Sequence, residues 1–544
     1  MAPEAELALT GGNVLTMTRD HPRASALAVA DGRILAVGAD EEIRRWCGPG
    51  TEEVRLDGRT VLPGFVEAHG HPTLEMVITG PDILDIRPVT CATAGEALSR
   101  LREAIAAAEP GAWLGAFGWD PLLQEGLPKI SRELLDELSP DNPLSVMHNS
   151  GHSAWGNTKA IERAGITRDT PDPVGSRFER DDAGNPTGAA FEAPATAMVL
   201  GGAIRPPDEH NFGVLMRREH DRLAQVGITT VADLGFRRDA REHVQAFYRS
   251  GAAKVRMRVY EVSVPEKRTD VTPGEDAEDL LFQQIGIKIW ADGSPWVGNI
   301  ATSFPYLDTP QTRSMGLSPG HRGGANYSRQ QLTEIVDAYF PLGWQIACHV
   351  HGDEAVEMVL DVFGEALAAN PARTDARLRL EHCGAMTPEQ YRRAAGLGVT
   401  CSLFVDHLYY WGDVLVDGLF GSRAESWTCA GAAIEAGVPI SFHNDSPVTP
   451  PEPLRNVQVA VTRTSRSGRV IGPQYRTTVE QALRAETIDA AWQLFAERDV
   501  GSLEVGKRAD LVVLDADPHA VPPGEIGDIP VHATYLDGRR TYRA

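Results

Sequence analysis

Residues 62–72 have the sequence LPGFVEAHGHP, an apolar run that ends in two histidines one residue apart. In a β-strand, side chains at positions i and i+2 project to the same face. His69 and His71 can therefore reach one common ion, although two structural histidines would give the same pattern. The stretch predicts a buried strand whose end carries metal ligands, provided that further ligands follow elsewhere in the chain.

Seven more apolar runs follow this one, and helical patterns such as RQQLTEIVDAYFPL, DEAVEMVLDVFGEAL and PEQYRRAAGL lie between several of them. Alternation of strands and helices is typical of βαβ units and a parallel sheet. Eight such units predict a (β/α)8 TIM barrel, whose chemistry is built at the carboxyl ends of the strands. The eight predicted strands are LPGFVEAH, ITTVADLG, KVRMRVYE, IGIKIWAD, WQIACHV, RLRLEH, GVTCSL and VPISFHND.

The two ends of the chain share a different pattern, in which short apolar runs are broken by Gly, Asp and Asn. This pattern predicts hairpins, and we expect residues 1–64 and 498–544 to form one small β-sandwich domain beside a barrel domain at 65–497. The first two barrel strands are separated by roughly 140 residues more than one βα unit needs, which predicts an insertion at about 80–206. A Gly- and Pro-rich stretch after the fourth strand predicts a lid.

The composition is that of an acidic globular protein with 544 residues, 52 Lys plus Arg, 75 Asp plus Glu and a formal charge of −23. This charge opposes binding to nucleic acid or to an anionic membrane, so we expect a neutral small-molecule partner. The six cysteines lack C-x-x-C spacing, and neither a signal peptide nor a membrane-spanning run is evident, which favours the cytoplasm. A homodimer is the base-rate expectation for the assembly.

Residues suited to metal binding end several of the other predicted strands. Lys288 lies on the fourth strand, His349 on the fifth, His382 on the sixth and Asp445 after the eighth. In a barrel all of these side chains converge on one mouth together with the first two histidines. Imidazole and carboxylate suit zinc, which lowers the pKa of bound water towards ~7 and so supplies a nucleophile at neutral pH.

Six motifs in this order resemble the amidohydrolase superfamily, and specifically its amidohydrolase-3 branch, which includes N-substituted formamide deformylases. They are PGFVEAHGH, IKIWADGS, CHVHGD, LRLEH, FHNDSP and GSLEVGKRADLVVLD. The resemblance spans practically the whole chain, and the GWD and SGHSAWGN segments of the predicted insertion fit it too.

The resemblance implies a centre with one or two zinc ions. In such enzymes the H-x-H pair and the aspartate of strand eight hold the first ion, which here means His69, His71 and Asp445. The histidines of strands five and six hold the second ion, here His349 and His382. A lysine carboxylated by CO2 bridges the two ions, and Lys288 lies at the matching position. Asp445 is the expected catalytic residue, which moves the proton of the attacking water to the departing amine.

Two features depart from the family pattern or complicate it. The residue two before His69 is Glu67, where the superfamily often has Asp, and His351 follows His349 on the same strand face. The family register favours His349 as the ligand. We further expect four side chains to line the substrate pocket: Trp119, His152, Trp296 and Phe404.

The sequence thus predicts a metal-dependent hydrolase of a non-peptide C–N bond, in an amide or formamide with an apolar N-substituent. The same metal site could open a cyclic amide, carbamate or lactone, or deaminate a ring, because the metal site does not define the acyl group. A catalytically silent binding protein is the alternative from another class, although no expected ligand is missing.

Overall fold

Eight parallel strands form the central sheet of the computed structural model, which describes residues 4–204, 209–263 and 269–544. Each strand hydrogen-bonds to the next in chain order. The strands are β1 (Phe65–Gly70), β2 (Ile228–Phe236), β3 (Arg256–Val262), β4 (Phe282–Trp290), β5 (Gln345–Val350), β6 (Arg379–His382), β7 (Thr400–Leu403) and β8 (Ile440–Phe442).

The first and last strands lie next to each other at the mouth, where individual hydrogen bonds join them. The backbone N–H of His71 donates to the carbonyl of Ser446 at 2.9 Å, and the backbone N–H of Asn444 donates to Glu67 Oε1 at 3.0 Å. The sheet is therefore a nearly closed (β/α)8 barrel. All eight predicted strands are present, and the predicted fold class is confirmed.

Helices after the strands surround the barrel, and their apolar faces pack against it. Thr387, for example, caps the helix after β6 through its side chain, and Pro388 occupies the first turn, as expected of a helix start. The helices of this layer are Glu209–Gln225, Arg241–Arg249, Arg329–Tyr339, Asp353–Ala369, Pro388–Leu397, His407–Asp413, Ala430–Glu435, Pro453–Thr462, Val479–Ala485 and Ile488–Gln493.

Strands from both ends of the chain form two further sheets that share one apolar core. The four-stranded sheet contains Leu7–Thr10, Ala26–Ala30, Arg33–Gly38 and Glu52–Arg55, and the short helix Asp40–Ile43 follows its third strand. The six-stranded sheet contains Asn13–Leu15, Arg23–Ala24, Thr60–Pro63, Leu511–Leu514, Val531–Leu536 and Arg539–Arg543.

Antiparallel pairing of Thr60–Pro63 with Leu511–Leu514 joins the two ends of the chain within the six-stranded sheet. This pairing fixes the position of β1, because only Gly64 separates Pro63 from Phe65. A buried ion pair also connects the sheet to the barrel, since Arg256 of β3 contacts both carboxylate oxygens of Asp510 at 2.7 and 3.0 Å.

Between β1 and β2 the chain forms a mixed six-stranded sheet with its own helices. Its strands are Ile83–Asp85, Leu114–Trp119, Leu144–His148, Ser153–Gly156, Arg177–Arg180 and Pro186–Phe191. Helices Pro72–Ile78, Ala94–Ala107, Arg132–Leu138, Thr158–Arg163 and Ala193–Leu200 accompany them. This insertion contacts the barrel mouth, where Arg87 Nη1 donates to the carbonyl of Pro447 at 3.1 Å.

Residues 291–327 follow β4 with little regular structure beyond the helix Pro310–Ser314. Their Trp296 stacks on Trp411 of the helix after β7, with ring centroids 4.6 Å apart and an angle of 15° between the planes. Within the described ranges, no helix has the length and apolar character needed to cross a bilayer.

Candidate metal centre

The six residues expected to surround the metal lie together at the carboxyl ends of the barrel strands. His69 is the penultimate residue of β1, His71 comes directly after the strand, and Asp445 follows β8. His71 Nε2 lies 3.0 Å from Asp445 Oδ1, and His69 Nε2 lies 3.4 Å from the same oxygen. Two atoms bound to one zinc ion at ~2.0–2.2 Å are ~3–3.5 Å apart, so this spacing suits a single ion.

The histidines of β5 and β6 form the second part of the centre. The ring centroids of His349 and His382 lie 4.5 Å apart, and one ligand atom each from His349, His351 and His382 falls within 4.8 Å of the others. His382 Nε2 is buried and has no hydrogen-bond partner among the residues that the structure describes. Because a buried polar atom rarely stays unpaired, this nitrogen is suited to a ligand.

Lys288 lies beside the first part of the centre, on the strand that pairs with β5. Its Nζ is 3.3 Å from His69 Nε2, and its charge acts on the pKa of both His69 and His349. The side chain is fully buried on β4. Burial lowers the pKa of the Lys288 amine to about 8, which increases the share of its neutral, nucleophilic form at neutral pH.

Burial also determines the charge of the imidazoles. It lowers the pKa of His69, His349 and His382 well below the usual range, and neighbouring imidazoles and, for the first two, Lys288 lower it further. All three rings are therefore neutral at neutral pH, and each keeps a nitrogen lone pair for a metal. Neutral imidazoles, a carboxylate and an amine in one buried cluster fit a divalent ion such as zinc.

Residues outside the cluster orient its imidazoles. His69 Nδ1 donates to Glu381 Oε2 at 2.7 Å, and Arg379 in turn donates to both oxygens of Glu381 at 2.8 and 2.9 Å. His349 Nε2 donates to the carbonyl of Gly293 at 3.0 Å. Such contacts fix the ring and leave its other nitrogen for the metal.

Left-handed backbone at two positions turns side chains towards the centre. His382 has φ +68° and Asp445 has φ +50°, conformations that non-glycine residues adopt uncommonly. Regular alternation along β6 directs Arg379 and Glu381 to one face and would direct His382 to the other. The left-handed turn at the end of the strand brings His382 back to the mouth.

His443 of the FHND segment supports the ring of His382. Its Nε2 lies 3.0 Å from His382 Nδ1, and its Nδ1 lies 2.9 Å from Ser402 Oγ. One ligand atom from each of His69, His382 and His443 also falls within 4.8 Å of the others. His443 is thus part of the buried hydrogen-bonded network around the centre.

The four residues expected to line the pocket occupy different surroundings. Trp119 is fully buried in the apolar core of the insertion. Trp296 and Phe404 are also buried, and the ring centroids of Phe404 and His407 lie 4.1 Å apart. His152 reaches the centre itself, with its ring centroid 4.7 Å from that of His349. Their contact with a substrate stays a prediction.

Glu192 of the insertion forms an ion pair with His152 that the sequence did not indicate. Its Oε2 lies 2.7 Å from His152 Nδ1. Burial lowers the pKa of the His152 imidazole, but the charge of Glu192 and this hydrogen bond outweigh burial, so the pKa is raised. Asp292, also unpredicted, accepts hydrogen bonds from the backbone N–H groups of His351, Gly352 and Ala301.

The chain folds as a (β/α)8 barrel with a cluster of histidines and an aspartate at its mouth, an arrangement that fits a hydrolase able to hold a metal ion. The Amidohydro_3 model, described as Amidohydrolase family, matches residues 52–542, and the chain belongs to this family. The expectation of an amidohydrolase is therefore confirmed.

Two relatives align with nearly the whole of this chain. The chain is 29% identical over 559 residues to the N-substituted formamide deformylase of Arthrobacter pascens, an alignment that covers 100% of this chain and 99% of the relative. It is 28% identical to Protein LONG AFTER FAR-RED 3 of Arabidopsis thaliana, with 99% and 92% covered. An uncharacterized metal-dependent hydrolase from Pyrococcus horikoshii has the same fold, at 23% identity and a TM-score of 0.70 over 95% of this chain and 99% of that one.

Proposed function

We propose that this protein is a metal-dependent hydrolase that cleaves the C–N bond of a small amide or formamide with an apolar N-substituent. The observation that carries the proposal is the convergence of four imidazoles, Asp445 and the Lys288 amine within hydrogen-bonding or ligand distance at the barrel mouth. The likeness to a formamide deformylase over the whole chain supports this substrate class.

In this proposal the ligands divide between one or two zinc ions. His69, His71 and Asp445 would hold the first ion, and His349 and His382 the second. Lys288, carboxylated by CO2, would contribute to both, which is supported by its contact with His69 and by the pairing of its strand with β5. Zinc bound here would lower the pKa of a water molecule and polarise the substrate carbonyl.

Asp445 is suited to proton transfer because it is the accessible carboxylate of the centre. Its side chain is 14% exposed, whereas that of Glu381 is fully buried and paired with Arg379. Asp445 Oδ1 is buried and lies 3.0 Å from His71 Nε2 and 3.4 Å from His69 Nε2, as a ligand atom of an ion shared with these imidazoles would. In the proposed reaction Asp445 accepts a proton from the attacking water and delivers it to the departing nitrogen.

The proposal is tested by an activity screen with the zinc-loaded protein and its Asp445→Asn variant. The screen compares linear N-alkylformamides with lactams, lactones and aminated heterocycles, which separates formamide hydrolysis from ring opening and deamination. We expect Asp445→Asn to keep bound zinc, measured by metal analysis, and to lose about 10²–10⁴-fold in kcat.

Asp57→Asn is the matched control, because Asp57 is exposed on the terminal domain and already has a left-handed φ of +51° that Asn tolerates. An Asp445→Asn variant as active as this control would refute the role of Asp445. A wild-type protein that hydrolyses lactams but no linear formamide would refute the substrate class.

A further inference from the structure

The last residue of β4 is a tryptophan that faces the inside of the barrel. Along this strand Ile287 and Ile289 belong to the apolar core that the surrounding helices share. Because side chains alternate along a strand, Lys288 and Trp290 face the barrel interior instead. Trp290 ends the strand, so its indole lies at the mouth, on the same side as the metal centre.

Val262, the last residue of β3, faces the same way. The hydroxyl of Tyr260, two residues earlier, accepts a hydrogen bond from Arg379 Nη1 at 2.9 Å inside the barrel. Alternation then directs Val262 inward as well, and its backbone pairs with that of Lys288 on β4. Val262 and Trp290 are therefore neighbours on the inner face of adjacent strands.

Neither of these apolar side chains is packed into the core. Trp290 and Val262 are partly exposed, and within the described ranges neither belongs to an apolar cluster of the core or packs against one. By contrast, Trp119, Trp296 and Phe404, which were expected to line the pocket, are at most 2% exposed. An indole that keeps an open surface can contact a ligand, whereas a fully packed ring cannot.

The indole lies within reach of a substrate bound at the metal centre. Lys288 Nζ is 5.3 Å from the centroid of the Trp290 ring and 3.3 Å from His69 Nε2. The backbone of Trp290 also pairs with that of His349, another expected ligand. A short alkyl group attached to the scissile nitrogen therefore spans the distance from the centre to the ring.

We propose that the apolar N-substituent of the substrate packs against Trp290 and Val262, and that these two residues select amides by the size of that substituent. In a formamide the carbonyl carbon carries only a hydrogen atom, so the N-substituent supplies the apolar surface that binding can bury. Each CH2 group that is buried against this surface stabilises the complex. This inference rests on the proposed amide-hydrolase function and deepens it, because it names the residues that recognise the substituent.

Kinetics with N-methylformamide and N-butylformamide test the inference with the zinc-loaded protein. We expect kcat/KM of the wild type to favour N-butylformamide about tenfold, because one apolar wall covers only part of the surface of the added CH2 groups. Trp290→Ala should bring this ratio close to one, and Val262→Ala should reduce it about twofold. Trp290→Phe keeps an aromatic face and should retain most of the preference.

The matched controls are Trp46→Ala and Val505→Ala, which shorten the same residue types in the terminal domain, away from the centre. Both variants should keep the wild-type ratio. If Trp290 only supports the fold, Trp290→Ala lowers kcat/KM for both substrates and leaves their ratio unchanged. That result, or equal kcat/KM for the two substrates in the wild type, would overturn the inference.

Binding of unreactive analogues separates this inference from the proposed function. N-hydroxy-N-methylformamide and N-butyl-N-hydroxyformamide chelate zinc through two oxygens, and their binding needs no turnover. Calorimetry with the zinc-loaded protein should show about tenfold tighter binding of the butyl compound to the wild type and equal affinities for Trp290→Ala. Equal affinities for the wild type would overturn the inference. A Trp290-dependent preference in a protein that hydrolyses neither formamide would refute the proposed function and support the contact.

Discussion

His69 Nδ1 and Glu381 Oε2 lie 2.7 Å apart, although the two residues belong to the first and sixth strands of the barrel. Both side chains are buried, and Arg379 binds both oxygens of the carboxylate. A buried charge is stable only when it is paired in this way. The contact therefore fixes the ring of His69 so that Nε2 faces Asp445 and Lys288.

Glu381→Gln should weaken zinc binding about 10–100-fold, because a neutral amide orients the imidazole less firmly and reduces its basicity. Competition against a chelator with a known zinc affinity measures the effect. Glu389→Gln is the control, since Glu389 is exposed in the helix that follows β6. Equal zinc affinities in the two variants would show that Glu381 does not support the metal site.

Lys288→Met should lower the zinc content from about two ions per chain to about one, because the group expected to contribute to both ions is lost. Metal analysis measures the content, and a carbamate signal from ¹³C-labelled bicarbonate should be present in the wild type and absent in the variant. Lys254→Met, which removes a partly exposed lysine paired with Asp221, is the control. If the wild-type protein shows no ¹³C carbamate signal, Lys288 is not carboxylated.

Gly293→Ala should reduce kcat/KM at least about tenfold, because overpacking a filled site forces neighbouring groups to move. The new Cβ would lie 2.3 Å from Glu192 Oε1 and 2.7 Å from Asn299 Cβ. Steady-state kinetics measure the effect. Gly324→Ala provides the control in the same segment, since no atom of the described part of the chain lies within 4 Å of a Cβ there. If the two variants have similar kcat/KM, displacement of Glu192 does not affect catalysis and the prediction is wrong.

His220→Gln should make the protein less sensitive to acid. Burial lowers the pKa of His220 to about 3, so below its ordinary pKa of 6.5 the unfolded chain binds a proton that the folded chain excludes. The free energy of unfolding therefore falls as the pH falls, and this residue accounts for about 2 kcal/mol of the loss between pH 7 and pH 5. Urea unfolding at the two pH values measures the difference.

His519→Gln is the opposite case for the same measurement. Hydrogen bonding to Glu480 raises the pKa of His519, so its contribution to stability is present at low pH and is lost as the pH rises through the raised pKa. Removal of His519 should therefore increase the acid sensitivity slightly. If both variants change stability in the same direction, the assignment of His220 as a neutral buried group is wrong.

The barrel could be predicted because the patterns that specify its strands and helices each lie within a short stretch of sequence. Each strand is an apolar run of ordinary strand length, and the intervening helices have clear starts, such as Thr387 before Pro388. The order of polar residues at the strand ends then follows from topology alone, which is why His349 of β5 and His382 of β6 could be placed at one mouth before any coordinates.

The supporting residues could not be predicted, because they depend on backbone turns and long-range pairing. Alternation along β6 would place His382 and Glu381 on opposite faces, and only the left-handed conformation of His382 brings both to the centre. Glu192 meets His152 because two strands of the insertion pair in one register, which neither sequence segment specifies. The sequence did offer one indication of a supporting residue, the carboxylate of Glu381 next to the expected ligand His382 in the LRLEH motif.

The pairing of Thr60–Pro63 with Leu511–Leu514 has a consequence for biosynthesis. The two strands are separated by roughly 450 residues, which a ribosome adds at ~5–20 residues per second. The early strand therefore emerges tens of seconds before its neighbour exists and exposes an apolar edge throughout that time. Nascent chains of this protein should depend on holding chaperones until Leu511–Leu514 has been synthesised.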